Sequence, residues 1–288
     1  MDEEYSLKIN DAGIQLSHPE KLDLQLDDIF IYQNLMNLDE TDIVISHNAS
    51  QFKNFENINR TVIFGAETSG KTSLAQMLQI AHKENGKIPI MLSGKIIKTQ
   101  DYSMERIQKA IERAFKKQYS SQDLDNFRQE DKKNILIMVD DFNEINFNNE
   151  HRSIFVDNLN KLHENIIIFA HESLELEAFN DEYFAKSILD YSKYRIKPFG
   201  HKIRDKLIKQ WILLGQEERL TNEEIHNIIE EKAKAITTTL GYNIVPAYPI
   251  FLLTLLQSME SNNTSTLSKS TYGHYYSYLI TESLSIPI

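Results

Sequence analysis

Residues 60–78 read RTVIFGAETSGKTSLAQML, and within them Gly65, Gly70, Lys71 and Thr72 complete the pattern G-x-x-x-x-G-K-T. A short β-branched run precedes the pattern, and a helical signal with an apolar face follows it over residues 71–82. A strand, a glycine-containing loop and a helix in this order are typical of a loop whose backbone N–H groups bind phosphate. The stretch therefore predicts a phosphate-binding loop.

Each part of this loop has a physical role in binding an anion. Glycine lets the backbone take unusual torsions and approach a ligand closely. The following helix start offers unpaired N–H groups and a favourable dipole. We expect Lys71 to reach the β- and γ-phosphates of a nucleotide and the Thr72 hydroxyl to ligate Mg²⁺. The residues expected to contact the nucleotide are Gly65, Ala66, Glu67, Thr68, Ser69, Gly70, Lys71, Thr72 and Ser73.

A second pattern places two acids directly after an apolar run. Residues 135–139 read ILIMV, and Asp140 and Asp141 follow them. The carboxyl ends of parallel strands meet at one edge of a sheet, where ligands bind. We therefore expect Asp140 to hold Mg²⁺, usually through water, and Asp141 to orient or deprotonate an attacking water. Glu144 is a weaker third acid, and a solvated carboxylate explains it equally well.

Further polar residues have two open interpretations each. His171 and Glu172 follow the apolar run 166–170, and they either sense the γ-phosphate or begin a helix. The aromatic run 272–278 (YGHYYSY) either stacks on bases or packs in a core. Six arginines are candidates for neutralising phosphate charge, although surface charge is the ordinary role of arginine. They are Arg106, Arg113, Arg128, Arg152, Arg195 and Arg204.

The remaining pattern predicts an α/β fold. Between residues 61 and 196 the chain alternates short apolar runs with helical stretches, as expected for parallel strands buried on both faces. The predicted strands are Thr61–Phe64, Ile88–Leu92, Ile135–Val139, Ile166–Ala170 and Tyr194–Ile196. We expect a P-loop NTPase fold, in which a parallel sheet with flanking helices precedes a small all-helical lid domain.

The predicted domain organisation has three parts. Residues 1–55 form a short N-terminal extension with two β-like runs, Asp28–Tyr32 and Asp42–Ser46. Residues 56–200 form the nucleotide-binding α/β domain, in which the polar stretch 119–133 is expected to be a surface excursion. Residues 201–288 form the helical lid, where Thr221 and Glu224 make a capping box at the start of one helix.

Composition limits the classes of partner. The 288 residues carry 31 basic and 42 acidic side chains, for a net charge of −11, so charge-driven nucleic-acid binding is not expected. There is no cysteine, which excludes a disulfide framework and a thiolate zinc site. The longest apolar stretch, residues 244–256, is too short to span a bilayer, and the acidic start is no secretory signal. We expect a cytoplasmic protein with no membrane contact.

These motifs together resemble the STAND class of ATPases, close to the NACHT proteins. Besides the P-loop and the apolar strand ending in two acids, residues 196–211 (IKPFGHKIRDKLIKQW) resemble the segment that joins sheet to lid in that class. Residues 241–257 (GYNIVPAYPIFLLTLLQ) resemble its proline motif, in which a proline before a helix packs against adenine. Pro249 is the best match and Pro246 the second. The resemblance covers about residues 55–285.

The resemblance implies a nucleotide switch that uses ATP and Mg²⁺. In that class ADP holds a closed monomer, ATP permits opening and self-association, and many bacterial members act in antiphage defence. ATP is favoured over GTP because no guanine-recognition signature is evident. His171 and Glu172 replace the usual sensor arginine. Only about 60 residues precede the P-loop, and no winged helix or repeat array fits. We therefore expect a piece of a longer protein, with an effector or sensor as its missing partner, or a reduced ATPase.

Other functional classes remain open at this point. An AAA+ remodelling ATPase shares the sheet and the helical lid, and it predicts a ring with an arginine finger from a neighbouring subunit. A nucleotide-binding scaffold without significant hydrolysis would need the P-loop but not Asp141. A DNA-binding switch is disfavoured by the net charge. The leading hypothesis is a slow, Mg²⁺-dependent ATPase switch.

Overall fold

The computed structural model describes residues 1–12, 16–39, 46–180, 182–215, 219–240 and 246–260. The chain forms two compact units, and the N-terminal residues are shared between them. One unit comprises residues 1–10 and 32–197, and the other comprises residues 11–31 and 198–288. The segment predicted to be an N-terminal extension therefore contributes to both units.

The first unit is built on a seven-stranded sheet with the order β2-β1-β7-β3-β6-β5-β4. Its strands are β1 (Asn34–Asn37), β2 (Ser46–Asn48), β3 (Arg60–Gly65), β4 (Ile88–Ser93), β5 (Ile135–Asp140), β6 (Ile166–His171) and β7 (Ser192–Ile196). Neighbouring strands from β7 to β4 run parallel, whereas β1 is antiparallel to both β7 and β2. The five predicted strands are confirmed, and the sheet gains an antiparallel pair at one side.

Helices precede and connect the strands of the first unit, and further helices lie in the second unit. They are α1 (Glu3–Ile9), α2 (Leu26–Ile29), α3 (Lys71–Glu84), α4 (Met104–Gln118), α5 (Leu124–Gln129), α6 (Asn149–Leu162), α7 (Glu172–Asn180), α8 (Glu182–Ser187), α9 (His201–Leu213), α10 (Asn222–Leu240) and α11 (Pro249–Glu260). The parallel strands, the connecting helices and the helices after residue 200 give the predicted P-loop NTPase fold with a helical C-terminal region. No helix among the described residues is long and apolar enough to cross a membrane.

The core of the first unit explains why the strands lack alternation. All six residues of β5 are buried, because side chains cover both faces of this central strand. One apolar cluster joins strand residues such as Val62 and Ile137 to Ile111 on α4 and Phe155 on α6. Burial on both faces favours an uninterrupted apolar sequence, since neither face meets water.

The outer edge of β4 is closed by side chains rather than by another strand. The amide of Gln118, at the end of α4, accepts from the backbone N–H of Met91 at 2.9 Å and donates to its carbonyl at 2.6 Å. The hydroxyl of Tyr119 donates to the carbonyl of Pro89 at 3.0 Å. Gln79 donates to the Gln118 oxygen at 2.8 Å and fixes the amide in this position.

The stretch 119–133 differs from the predicted surface excursion. It contains the helix α5, and Phe127 on that helix stacks on Phe115 with a ring separation of 4.3 Å. Tyr119, Leu124 and Phe127 are all buried. Three apolar side chains are thus enough to dock a segment whose other residues are polar.

The second unit contains α2, α9, α10 and α11. Its most buried large side chain is Trp211 on α9, which meets the ring of His18 edge-on at 5.0 Å. The predicted capping box is present, since the backbone N–H of Thr221 donates to Glu224 at 2.8 Å and the N–H of Glu224 donates to the Thr221 hydroxyl at 3.3 Å. Lys232 and Glu260 pair at 2.8 Å between α10 and α11.

Candidate nucleotide and metal site

The predicted phosphate loop connects the end of β3 to the start of α3. Gly70 caps the helix with φ of +93°, a left-handed conformation that side chains disfavour. Its carbonyl accepts the first bond of the helix, from the N–H of Leu74 at 2.9 Å. The N–H groups of the first helical turn have no partner within a helix, so they are available to an anion at this point.

Lys71 lies across the loop that it follows. Its ammonium group donates to the carbonyls of Gly65 at 2.9 Å and Ala66 at 2.7 Å. Burial lowers the pKa of Lys71, and the nearby carboxylates, led by Asp140 and Asp141, oppose this shift. A partly desolvated cation beside unpaired N–H groups is suited to bind a phosphate, because its attraction for an anion is less screened by water.

Asp140 is the last residue of β5, and its carboxyl group is buried, with 6% of the residue exposed. Burial, followed by repulsion from Asp141, raises the pKa of Asp140 to about 6. Hydrogen bonding to the Thr72 side chain and attraction to Lys71 oppose this rise. The other carboxyl oxygen, Oδ1, is buried and has no hydrogen-bond partner among the described residues.

These observations fit a magnesium ion bound together with a nucleotide. Mg²⁺ prefers oxygen ligands, keeps several waters and commonly takes one or two protein ligands plus phosphate oxygens. Asp140 and the hydroxyl of Thr72 supply two protein oxygens, and the Thr72 side chain is near enough to oppose the rise in the pKa of Asp140. Within the described part of the chain, no group of three or more histidine, aspartate or glutamate side chains forms a metal cage. A site completed by phosphate and water is therefore the arrangement that these residues can support.

Asp141 is held in place by the segment that follows β4. Its backbone has φ of +52°, an uncommon left-handed conformation for a residue with a side chain. Its carboxylate pairs with the ammonium group of Lys95 at 2.8 Å, and this hydrogen bond raises the pKa of Lys95. A Cβ on Gly94 would lie 2.0 Å from the backbone oxygen of Asp141, so only glycine allows this approach.

Gly94 and Lys95 were missed by the sequence reasoning. The signal available was their position, because they come two and three residues after the predicted strand Ile88–Leu92 and so belong to the same sheet edge as Asp140. The register of the sheet places Ser93 opposite Asp140.

The ends of β5 and β6 are joined by a side chain next to the paired acids. The side-chain oxygen of Asn143 accepts from the backbone N–H of His171 at 3.0 Å, and its Nδ2 donates to Glu144 at 3.0 Å. Glu144 itself is exposed. The structure therefore places this third acid on the surface beside the site.

His171 ends β6 opposite Gly65, the first residue of the phosphate loop. The N–H of Ser173 donates to Nδ1 of His171 at 3.1 Å. A backbone N–H can only donate, so Nδ1 is an acceptor and the neutral ring carries its proton on Nε2. Glu172 is exposed, and its charge acts on Lys71 and Arg195.

One of the six candidate arginines lies on the strand next to the phosphate loop. Arg195 on β7 is paired in register with Phe64, one residue before the loop. It makes two hydrogen bonds to the buried carboxylate of Glu175, from Nε at 2.9 Å and from a terminal nitrogen, and these bonds raise the pKa of Arg195. A bidentate pair of this kind is rigid and directional.

Other candidate arginines are engaged elsewhere. Arg113 pairs with Asp101 at 3.0 Å, and Arg128 pairs with Glu112 at 2.7 Å. Arg204, in the second unit, bonds to the ring of His201. The contacts of Arg113 and Arg128 fit the ordinary role of arginine in surface ion pairs, which was the competing interpretation.

The proline predicted to contact adenine lies in the second unit. Pro249 is the first residue of α11, and the Tyr248 N–H before it donates to the carbonyl of Pro246 at 2.8 Å. Proline suits the first turn of a helix because it needs no N–H partner there. Residues 241–245 and 261–288, with the tyrosine-rich run 272–278, lie outside the described residues.

Comparison with solved structures finds matches at low sequence identity. The ADP form of the ORC2 protein from Aeropyrum pernix has a TM-score of 0.44 at 12% identity over 74% of this chain and 62% of that one. Cdc6p from Pyrobaculum aerophilum has a TM-score of 0.42 at 14% identity, over 76% and 56%. AMPPCP-bound DnaA from Aquifex aeolicus has a TM-score of 0.38 at 15% identity, over 82% and 86%. No protein-family profile and no curated protein sequence matches the chain.

The fold and the loop place the chain among proteins with the P-loop NTPase fold. At these identities and TM-scores, its function has to be inferred from its own residues.

Proposed function

We propose that this protein is a Mg²⁺-dependent ATPase whose slow hydrolysis serves a conformational switch. The observation that carries the proposal is the meeting of Lys71, Thr72 and Asp140 at one sheet edge. There the carboxyl group of Asp140 is buried beside Thr72 and Lys71, and its Oδ1 has no partner among the described residues. A buried polar atom without a partner is costly, and a ligand-binding role accounts for it.

The chain's own residues would divide the work of nucleotide binding. The N–H groups of the loop and the ammonium group of Lys71 would bind the β- and γ-phosphates. Thr72 and Asp140 would hold Mg²⁺, which supplies positive charge to neutralise the phosphate oxygens. Gly65 to Ser73 would line the phosphate side, and we retain Pro249 as the proposed adenine contact.

Asp141 is the proposed acceptor of a proton from the attacking water. In the structure its carboxylate is paired with Lys95, so one of its oxygens is engaged. A carboxylate oxygen that already accepts from an ammonium group cannot at the same time take a proton from a water molecule. Hydrolysis is therefore expected to be slow until this ion pair opens, which agrees with a switch that turns over rarely.

Within the P-loop ATPases we favour a STAND-type switch, on the resemblance of residues 196–211 and 241–257 to that class. ADP would favour a closed monomer, and ATP would favour an open form that self-associates or binds a missing effector or sensor. An AAA+ remodelling ATPase is the second candidate, favoured by the helical unit after the sheet. It would form a ring that turns over rapidly with an arginine supplied by a neighbouring subunit.

The test is to measure assembly and phosphate release in the same samples. The purified chain is mixed with Mg²⁺ and either ADP or ATP, and its mass is read by light scattering while released phosphate is assayed. Assembly with ATP and slow release supports the switch, whereas a fast-turning ring supports the remodelling ATPase. Adding single- or double-stranded DNA to the same samples tests the expectation that nucleic acid is not a partner.

Two substitutions distinguish hydrolysis from binding alone. Lys71→Ala removes the phosphate contact, and Asp141→Asn keeps the shape of the side chain but removes the base. If Asp141→Asn preserves ATP-dependent assembly and Lys71→Ala abolishes it, then binding alone drives assembly. A wild-type chain with no affinity for ADP or ATP would refute the proposal.

A further inference from the structure

Gln33 reaches the phosphate loop from a distant part of the sequence. It directly precedes β1, and only 1% of the residue is exposed. Its side-chain Nε2 donates to the carbonyl of Ser69 at 3.2 Å and lies 3.5 Å from the carbonyl of Gly70. Both carbonyls belong to the last two residues of the loop before α3 begins.

The backbone of Gln33 is fixed by the sheet. Its carbonyl accepts from the N–H of Ala49 at 2.8 Å. The next residue but one, Leu35, pairs with Ile196 on β7, the strand beside β3. The backbone that carries the Gln33 side chain is therefore fixed, and its side-chain amide can stabilise the position of the phosphate loop.

The partners in the loop determine which end of the Gln33 side-chain amide faces it. A carbonyl can only accept, so the NH₂ end of Gln33 must face Ser69 and Gly70. The reverse orientation would set its oxygen against two other oxygens. The Gln33 oxygen is buried without a hydrogen-bond partner among the described residues, which is a cost that the contact with the loop has to outweigh.

A hydrogen bond that fixes a carbonyl also orients the N–H group of the same peptide. In a trans peptide the C=O and the following N–H point in opposite directions. Because the carbonyl of Ser69 points to Gln33, the N–H of Gly70 points away from it. The carbonyl of Gly70 is shared between Gln33 and the N–H of Leu74, and the N–H of Lys71 points away from that carbonyl. Two donors are thereby directed to the other side of the loop, where the first turn of α3 also presents its free N–H groups.

We propose that Gln33 is a positioning residue that holds the phosphate loop in its binding conformation before a nucleotide arrives. The inference rests on the proposed function and adds a residue outside the loop and the acidic pair. Its physical basis is preorganisation, since a loop that is already oriented loses less entropy when it binds. Without Gln33, the loop would reorient and the phosphate would have to order it.

The test is the affinity for ADP with Mg²⁺, measured by titration calorimetry on the full chain. Gln33→Leu keeps the volume of the side chain but removes the donor, and we expect ADP affinity to fall about tenfold or more, as for loss of one buried hydrogen bond. Gln33→Glu places a carboxylate against two carbonyl oxygens, and we expect a larger loss. The melting temperature of each variant is measured alongside.

Asn48→Ala is the matched control. Asn48 lies in β2, and its side-chain amide donates to the carbonyl of Tyr32 at 2.9 Å, next to Gln33 but away from the loop. We expect this variant to lose stability comparable to Gln33→Leu while its ADP affinity stays within about twofold of wild type. A purely structural role for Gln33 would make the two variants behave alike.

The outcomes separate the two proposals. ADP binding by wild type, weakened in both Gln33 variants but not in Asn48→Ala, supports the inference. If wild type binds ADP and Gln33→Leu binds it within about twofold, the inference is overturned and the proposed function stands. Equal losses in Gln33→Leu and Asn48→Ala would also overturn it. A wild-type chain that binds no ADP overturns both.

Discussion

Replacing Asp140 by asparagine is expected to stabilise the nucleotide-free protein at neutral pH while abolishing its Mg²⁺-dependent activity. The carboxyl group is buried at the end of β5, and one of its oxygens has no partner within the described residues. Asparagine has nearly the same shape, and its side-chain oxygen can still accept from Thr72. The substitution therefore removes the buried charge and retains the packing.

The magnitude follows from the raised pKa. A rise from 3.8 to about 6 corresponds to about 3 kcal/mol of unfavourable free energy for the ionised group in the folded chain. Between about pH 4 and about pH 6 the folded chain keeps a proton on Asp140 that the unfolded chain has released. The free energy of unfolding of wild type therefore falls as the pH rises through this window. Above about pH 6 the folded chain carries the full free-energy cost of the ionised Asp140, and below about pH 4 this cost disappears.

The assay is urea unfolding in EDTA at several values from about pH 4 to about pH 8. We expect the Asp140→Asn variant to be more stable than wild type by up to about 3 kcal/mol at pH 7 and equal to it near pH 4. Glu144→Gln, a change at an exposed carboxylate in the next turn, is the control and should leave stability unchanged. A variant that is no more stable than wild type at pH 7, or a difference that does not vary with pH, would show that the buried charge of Asp140 does not destabilise the folded chain.

The other predictions concern the segments around the site and the sheet edge. Gly94→Ala should abolish phosphate release, since its methyl group would collide with the backbone of Asp141; release at the wild-type rate would contradict this. Lys95→Met should free the Asp141 carboxylate and raise phosphate release up to about fivefold, the range of an exposed ion pair, with ADP affinity unchanged; a slower enzyme would show that Lys95 assists the reaction. Gln118→Leu should lower the free energy of unfolding by about 1–3 kcal/mol, because Met91 loses both partners; a melting temperature equal to wild type would contradict it.

The parts of the site that were predictable from sequence are those encoded by neighbouring residues. The loop from Gly65 to Thr72 is a contiguous pattern, and the position of Asp140 follows from the apolar run before it. Both depend on local order along the chain and on one rule, that parallel strands end at the same edge. In the structure the two strands end one residue later than predicted, at Gly65 and Asp140, and Asp140 is buried.

The parts that were not predictable depend on contacts between distant segments. Gln33 lies 36 residues before Ser69, in a polar stretch without periodicity, so nothing local marks it as a partner of the loop. The run Asp28–Tyr32 was predicted to be β-like from its apolar residues, and this prediction is wrong. The structure has a short helix, Leu26–Ile29, where the Asp28 carboxylate accepts from the N–H of Gln25 at 2.8 Å. A capping side chain outweighed a weak β propensity.

The closed edge of β4 restricts how copies of this protein can associate. A neighbouring strand can add to a sheet only where backbone groups are free to pair. Along residues 89–91 the backbone groups on the outer side of β4 are already engaged. Pro89 has no N–H, and its carbonyl accepts from the Tyr119 hydroxyl. The N–H and the carbonyl of Met91 are both hydrogen-bonded to the side-chain amide of Gln118. Continuous sheets that grow through this edge are therefore excluded while Gln118 stays in place. Any assembly that ATP promotes therefore has to form through another surface of the protein than the β4 edge.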